Sequence, residues 1–167
     1  MSNIILIGMP GAGKSTVGVL LAKSLKRAFL DTDLLIQARE DQVLCDIIQE
    51  RGIEEFLDLE ELIIREIVVQ DTVIATGGSV VYRPAAMAHL QRLGCLVYLN
   101  LPLAAIAQRI TNIQTRGIAM PPGQSLEALY AERQSLYRHY ADLTIETTGM
   151  TAEETTTNLT RMLTKCR

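Results

Sequence analysis

The sequence has few aromatic residues, few cysteines, little net charge and no apolar run of membrane-spanning length. Seven aromatics (Phe29, Phe56, Tyr82, Tyr98, Tyr130, Tyr137, Tyr140) are scattered, the formal net charge is −3, and no basic cluster stands out. That combination argues against a nucleic-acid surface. Cys45, Cys95 and Cys166 are odd in number and widely spaced, with no C-x-x-C pair. They read as reduced, mostly buried thiols of a cytosolic protein, not as a disulfide framework or a zinc site. The apolar run Ile4 to Ile7 lacks a basic leader and is interrupted at once by glycines, so it is not read as a signal sequence. Neither repeats nor low-complexity linkers divide the chain, and its 167 residues fit one domain, 1–167. A domain of that size buries roughly two-thirds of its unfolded surface.

What is present is concentrated near the start. Ile4-Ile5-Leu6-Ile7 reads as a buried strand, and Gly8-Met9-Pro10-Gly11-Ala12-Gly13-Lys14-Ser15-Thr16 follows it. This spells G-x-x-x-x-G-K-[ST], the phosphate-binding loop. Gly11, Ala12 and Gly13 would turn backbone N–H groups toward a phosphate, and the following helix would offer its positive end to the same anion. Lys14 would then sit on the β- and γ-phosphates of ATP, and the Ser15 hydroxyl on the magnesium ion that bridges them, with Thr16 in the first helical turn. Val17, Leu20, Leu21 and Leu25 recur at helical spacing through Lys26, so the loop has the strand-to-helix context its chemistry needs. A glycine-rich turn with no ligand would need neither Lys14 nor a hydroxyl after it.

Further along, Ala28-Phe29-Leu30 is a short apolar run ending in Asp31-Thr32-Asp33. In a parallel sheet, ligands bind at the carboxyl ends of the strands, so both acids would face the crevice of the phosphate loop. One can hold magnesium through water, and the other can orient or deprotonate an attacking hydroxyl. Capping of the next helix accounts for one acid but not readily for both. Residues 34 to 70 are helical in pattern with a break at Arg51-Gly52. Phe56, Leu59, Ile63 and Ile67 form one face, and Asp58, Glu60 and Glu61 read as part of a solvated one.

Thr72 to Ala75 is a third strand, followed by Thr76-Gly77-Gly78-Ser79, where paired glycines permit close approach of a ligand. A helix runs from Pro84, at its favoured first-turn position, to Leu93. Cys95 to Leu99 is a fourth strand, and Pro102 opens a helix toward Arg109. From Thr111 to Gln124 the periodicity fails and glycine and proline collect. Bracketed by Arg109 and Arg116, this segment reads as a lid able to close over nucleotide phosphates. The helix after Ser125 carries Leu129, Arg133 and Tyr137; Leu143 to Glu146 is a fifth strand; and a helix with a Thr151/Glu154 capping box closes the chain. His89 and His139 have no ligand-spaced partner and read as surface or packing residues. The alternation of strands and helices predicts an α/β fold with a five-stranded parallel sheet.

Taken together, these residues resemble the shikimate kinases, small phosphate-loop kinases related to the nucleoside-monophosphate kinases. The resemblance spans nearly the whole chain: Gly8 to Thr16, Phe29 to Asp33, Gly52…Glu55-Phe56…Glu60, Thr76-Gly77-Gly78, the Arg116 lid, and Arg133…Tyr137…Ala141-Asp142. It implies strand order 2-3-1-4-5 with flanking helices, and transfer of the γ-phosphoryl of ATP to a substrate hydroxyl. By position it also implies that Lys14 and Ser15 serve ATP and magnesium, Asp31 supports magnesium through water, and Asp33 holds the accepting hydroxyl. Gly77, Gly78, Ser79 and Arg133 correspond to substrate contacts, and Arg109 and Arg116 to nucleotide contacts, Arg116 assisting catalysis. A cytoplasmic monomer acting on a small molecule is expected, with no nucleic-acid or membrane partner.

The departures fall on the acceptor side. Leu57 stands where the family carries an arginine that grips the substrate carboxylate, Ser79 replaces the third glycine of a Gly-Gly-Gly run, Ile48 stands where a pocket phenylalanine is common, and Arg116-Gly117 replaces Arg-Pro. One charge-assisted hydrogen-bonding group is worth about 1.5–3 kcal/mol, so its loss weakens a carboxylate ligand by roughly ten- to a hundredfold. Glu60, which matches the partner of the missing arginine, would be left near the pocket with excess negative charge. Two acceptors are therefore compared: shikimate, held by Arg133 alone, or an amino-acid alcohol such as homoserine, with its ammonium group on Glu60 or Asp33. A nucleotide-binding module without catalysis is a third reading, but such a module would need neither Asp33 nor Arg133.

Overall fold

The computed structural model describes residues 3–110 and 117–165. Five strands, β1 (Asn3–Ile7), β2 (Ala28–Asp31), β3 (Thr72–Ala75), β4 (Gly94–Asn100) and β5 (Leu143–Glu146), form one sheet in the order β2-β3-β1-β4-β5. Every pairing is parallel, with Leu6 opposite both Ala75 and Val97 and Asp31 opposite Ala75. This is the expected order. β1, β3 and most of β4 are buried, as a parallel sheet covered by helices on both faces requires. The apolar run that opens the chain thus becomes the central strand. At the amino ends of the strands, the buried Asn3 side chain donates to Val69 O (2.8 Å) and Leu93 O (3.1 Å) and accepts from the Thr72 N–H (3.0 Å). One amide thereby aligns β1 with the segments that enter β3 and β4.

The helices are α1 (Lys14–Leu25), α2 (Thr32–Glu40), α3 (Leu44–Arg65), α4 (Pro84–Leu93), α5 (Leu103–Arg109), α6 (Leu126–Tyr140) and α7 (Ala152–Lys165). Local chemistry sets several of their ends. The Asp31 side chain accepts from the Asp33 N–H and so caps α2, Ser125 caps α6, and Thr151 and Glu154 exchange both bonds of a capping box at α7. Gly18 lies inside α1 because a β-carbon there would come within 2.6 Å of the Phe29 ring. The break expected at Arg51-Gly52 is an interruption within α3, where Gly52 alone leaves helical geometry (φ 83°, ψ 169°). Two features were not legible in the pattern: the stop between α2 and α3 at Asp41, in the left-handed region (φ 52°), and a 3-10 turn at Val80–Tyr82.

Two apolar clusters result. The larger joins the sheet to α1, α4, α6 and α7; the smaller gathers Ile36, Ile47, Phe56, Leu57 and Ile63 of α2 and α3 with Ala119. The cleft between them opens at the carboxyl ends of β1, β2 and β3. Among the described residues, no helix is long and apolar enough to cross a membrane.

Candidate active site

The cleft holds about 480 Å³ and runs from the Gly8 to Thr16 loop to Arg133 on α6. At its loop end the glycines do what the motif requires. Gly11 and Gly13 have positive φ (80° and 94°), which a side chain would strain, and the loop closes with the Ala12 N–H donating to Met9 O (3.1 Å). The Lys14 ammonium donates to Gly8 O (2.8 Å) and Met9 O (2.9 Å), held over the loop at the start of α1. Burial pushes it down to about 8, against the nearby Asp33 carboxylate, which favours its charge. Ser15 and Thr16 are exposed on the cleft wall. Arg109, from the end of α5, also lines the cleft and donates to Gly11 O (3.2 Å). Ala12 is buried beneath the loop.

Asp31 and Asp33 make different contacts. The Ser15 hydroxyl donates to Asp31 Oδ2 (2.6 Å), while Asp31 Oδ1 takes the Asp33 N–H (3.0 Å). Asp31 thus caps α2 and ties it to Ser15 in the first turn of α1. Asp33 instead lines the cleft, and its Oδ1 is buried without a partner. Burial raises its carboxyl to about 6, with Lys14 pulling the other way.

The acceptor wall is built by the residues after β3. The Gly77 N–H donates to the Thr32 hydroxyl (3.2 Å), and the Tyr137 hydroxyl donates to Gly78 O (2.6 Å), which fix both glycines from behind. A β-carbon on Gly77 would lie 2.4 Å from Glu60 Oε1 and 2.8 Å from Asp33 Oδ1; one on Gly78 would lie 2.7 Å from Pro10 Cδ and 3.0 Å from Arg133 Nη1. The glycines thus let the loop, two carboxyl groups and the arginine converge. Phe56, Leu44, Ile118 and Ala119 supply apolar lining.

Two expectations about the acceptor side are corrected. Glu60 is not on a solvated face; it is 1% exposed, accepts the Ser79 hydroxyl (2.8 Å), and keeps Oε1 buried without a partner. Burial and the Asp33 charge also push its carboxyl up to about 8, which disfavours the charged form that the expectation assumed. Leu57 does not reach the main cleft. It is 5% exposed in the smaller apolar cluster and borders a neighbouring cavity of about 280 Å³, with Tyr82 and Arg83. Arg116, with residues 111 to 115 of the expected lid, lies outside the described residues, as does Cys166. The far side of that segment is in place: Gly117, Ile118 and Ala119 line the cleft, and Ala119 O accepts from Arg133. Sequence reasoning did not single out Tyr82, whose ring lies under Arg133, or Thr32 as a support for Gly77. Tyr82 belongs to no motif, and Thr32, inside Asp31-Thr32-Asp33, was overshadowed by the two acids beside it. His89 is a packing residue, its Nε2 2.9 Å from Ile67 O, and His139 is exposed.

A phosphate loop at the carboxyl edge of a parallel sheet in the order 2-3-1-4-5, facing a carboxylate and a buried arginine across one cleft, defines a phosphate-loop phosphotransferase. The Shikimate kinase family model matches residues 10–164. A shikimate kinase of Pseudomonas entomophila is 39% identical over 88% of this chain and 87% of its own length, and one of Francisella tularensis subsp. novicida is 36% identical over 96% and 94%. Among solved structures, shikimate kinase from Acinetobacter baumannii in complex with shikimate superposes with a TM-score of 0.89 at 30% identity, covering 100% of this chain and 95% of that one. A thymidylate kinase from Candida albicans shares the fold alone (TM-score 0.64, 13% identity, covering 98% and 91%). The chain belongs to the shikimate kinase family and is an ATP-dependent kinase.

Proposed function

We propose that the protein transfers the γ-phosphoryl group of ATP to a ring hydroxyl of shikimate, giving shikimate 3-phosphate, as a cytoplasmic monomer. The observation that carries this reading is the single cleft joining Lys14 to Asp33 and Arg133. Its nucleotide end is cationic, through Lys14 and Arg109, and among the described residues its acceptor end offers Arg133 for a carboxylate and Asp33 for a hydroxyl. Among the two acceptors compared, the burial of Glu60 favours shikimate. A carboxyl group that is buried away from the cleft lining, disfavoured in its charged form and already bonded to Ser79 is a poor receptor for an ammonium group.

In this mechanism the loop amides and Lys14 hold the β- and γ-phosphates, and Arg109, joined by Arg116, lies against the nucleotide. Asp33 accepts the hydrogen bond of the attacking hydroxyl and orients it in line with the γ-phosphorus. Its carboxyl, raised only to about 6, is ionised at pH 7 and so able to accept. Arg133, Gly77, Gly78 and Ser79 shape the acceptor end. Ser15 and Asp31 place two hard oxygen ligands together at the rim of the cleft, a donor set suited to magnesium. They would hold the ion, Asp31 through water; when bound, it supplies neutralisation of the phosphate charge. The test is ADP release from ATP and magnesium with shikimate or with homoserine. Turnover with shikimate is expected; turnover with homoserine alone refutes the assignment.

A further inference from the structure

The Arg133 guanidinium has three nitrogens in one plane, and two of them are committed within the protein. Nε donates to the Tyr82 hydroxyl (3.2 Å), and Nη2 donates to Ala119 O. The Tyr82 ring also lies against the group, with Cζ 5.1 Å from the ring centre. These contacts fix both the position and the plane of a side chain that is 1% exposed. The Tyr137 hydroxyl also interacts with the guanidinium, and Nη1 faces the bare α-carbon of Gly78 on the cleft wall. Tyr82 itself borders the neighbouring cavity and not the main cleft, so it backs the arginine without reaching the acceptor. Its placement is built into the acceptor wall: the Tyr82 N–H donates to Ser79 O (3.0 Å), so the turn that follows Gly77-Gly78-Ser79 carries the ring under Arg133.

We propose that Tyr82 is a positioning residue that aims Arg133 Nη1 at the acceptor carboxylate and so sets the affinity for the acceptor, a role that rests on the shikimate reading above. A free arginine side chain loses much rotamer freedom when it grips a ligand; one already held by a hydroxyl, a carbonyl and a ring does not. That preorganisation matters here because, among the described residues, Arg133 is the cation that lines the acceptor end of the cleft. Ala119 O extends the same anchorage to the segment after Gly117, so the arginine also ties the acceptor end to the far side of the expected lid.

The test is steady-state kinetics with shikimate varied at saturating ATP, for the wild type, Tyr82→Phe, Tyr82→Leu, Arg133→Met and the double variant Tyr82→Phe/Arg133→Met. Tyr82→Phe keeps the ring and removes the hydroxyl; it is expected to raise KM for shikimate roughly three- to tenfold, with kcat and KM for ATP within about twofold. Tyr82→Leu removes both contacts and is expected to raise it roughly ten- to a hundredfold. In the Arg133→Met background, Tyr82→Phe is expected to add nothing. An unchanged KM in Tyr82→Phe, an equal rise with and without Arg133, or a fall in kcat with KM unchanged overturns the proposal. An unchanged KM in Arg133→Met, or no shikimate turnover by the wild type, instead overturns the reading of the site and the proposal with it. Should Tyr82→Leu fail to fold, the conservative Tyr82→Phe decides.

Discussion

Replacing Asp33 with asparagine separates chemistry from folding at this site. The substitution keeps the shape of the side chain and its backbone bond to Asp31, but removes the charge that would hold the attacking hydroxyl. A positioned acid or base contributes about 10²–10⁴ in rate, so kcat is expected to fall by about that factor, or roughly 3–5 kcal/mol of barrier. Stability should move the other way. Burial raises the Asp33 carboxyl from 3.8 to about 6, so the folded protein holds its proton more tightly than the unfolded chain does. The linked stability is complete below pH 3.8 and is lost as pH rises through 6, amounting to at most about 3 kcal/mol. A neutral amide does not incur that loss, and it removes a negative charge from the neighbourhood of the buried Glu60 carboxyl. Lys14 loses a counter-charge, which offsets part of the gain. At pH 8 the variant is therefore expected to melt no lower than the wild type, and up to a few degrees higher at about 2–4 °C per kcal/mol. ADP release, ATP binding by calorimetry and melting at pH 5 and pH 8 check this. Unchanged kcat would refute the role of Asp33, and lost activity accompanied by a lower melting temperature at pH 8 would refute the electrostatic reasoning.

Lys14→Ala should abolish measurable ATP turnover and weaken ATP binding, because the loop then lacks the only side-chain cation that its own motif supplies; retained turnover in an ADP-release assay contradicts the assignment. Glu60 has a carboxyl raised by burial from 4.5 to about 8, so the wild type should lose stability as pH rises across that window. Glu60→Gln should flatten the loss by roughly 1–4 kcal/mol, read from melting curves between pH 5 and pH 9, and parallel curves for the two proteins would count against a buried, protonated carboxyl. Gly77→Ala places a methyl group 2.4 Å from Glu60 Oε1 and 2.8 Å from Asp33 Oδ1. Because both oxygens must retreat, kcat with shikimate should drop by at least about tenfold while ATP binding stays near the wild-type value, the difference being set by about 1.4 kcal/mol of lost transition-state contact; wild-type kinetics would show that the two carboxyl groups are not held in register by that glycine.

The nucleotide half of the protein was legible in its primary structure because its chemistry is local. A strand, a glycine-rich turn, a lysine and a hydroxyl within thirteen residues are bonded to one another by chain connectivity, and the structure keeps them together from Ile4 to Thr16. Strand periods placed elements to within a residue or two, as at Thr72–Ala75 and Leu143–Glu146, because burial on both faces of a parallel sheet leaves unbroken apolar runs, whereas the helical run expected through residue 70 ends at Arg65. The stop at Asp41 and the turn at Val80–Tyr82 escaped, since neither carries a glycine or proline at the position that bends.

The acceptor half is different, because its residues come from α2, α3, the turn after β3, and α6, and their meeting depends on packing. The helical pattern placed Glu60 on a polar face; only the folded chain buries it against Ser79 and shifts its proton affinity. Likewise, the family pattern made Leu57 a pocket position, whereas the packing of α3 turns it into the smaller apolar cluster and a separate cavity. The donor nucleotide and the reaction were thus determined by the sequence alone, through a motif whose atoms are neighbours along the chain. Tertiary structure decided which acceptor groups face Lys14, how Tyr82 and Ala119 hold Arg133, and the upward shift of the Glu60 carboxyl, because burial and contact between distant segments exist only once the sheet and helices have assembled.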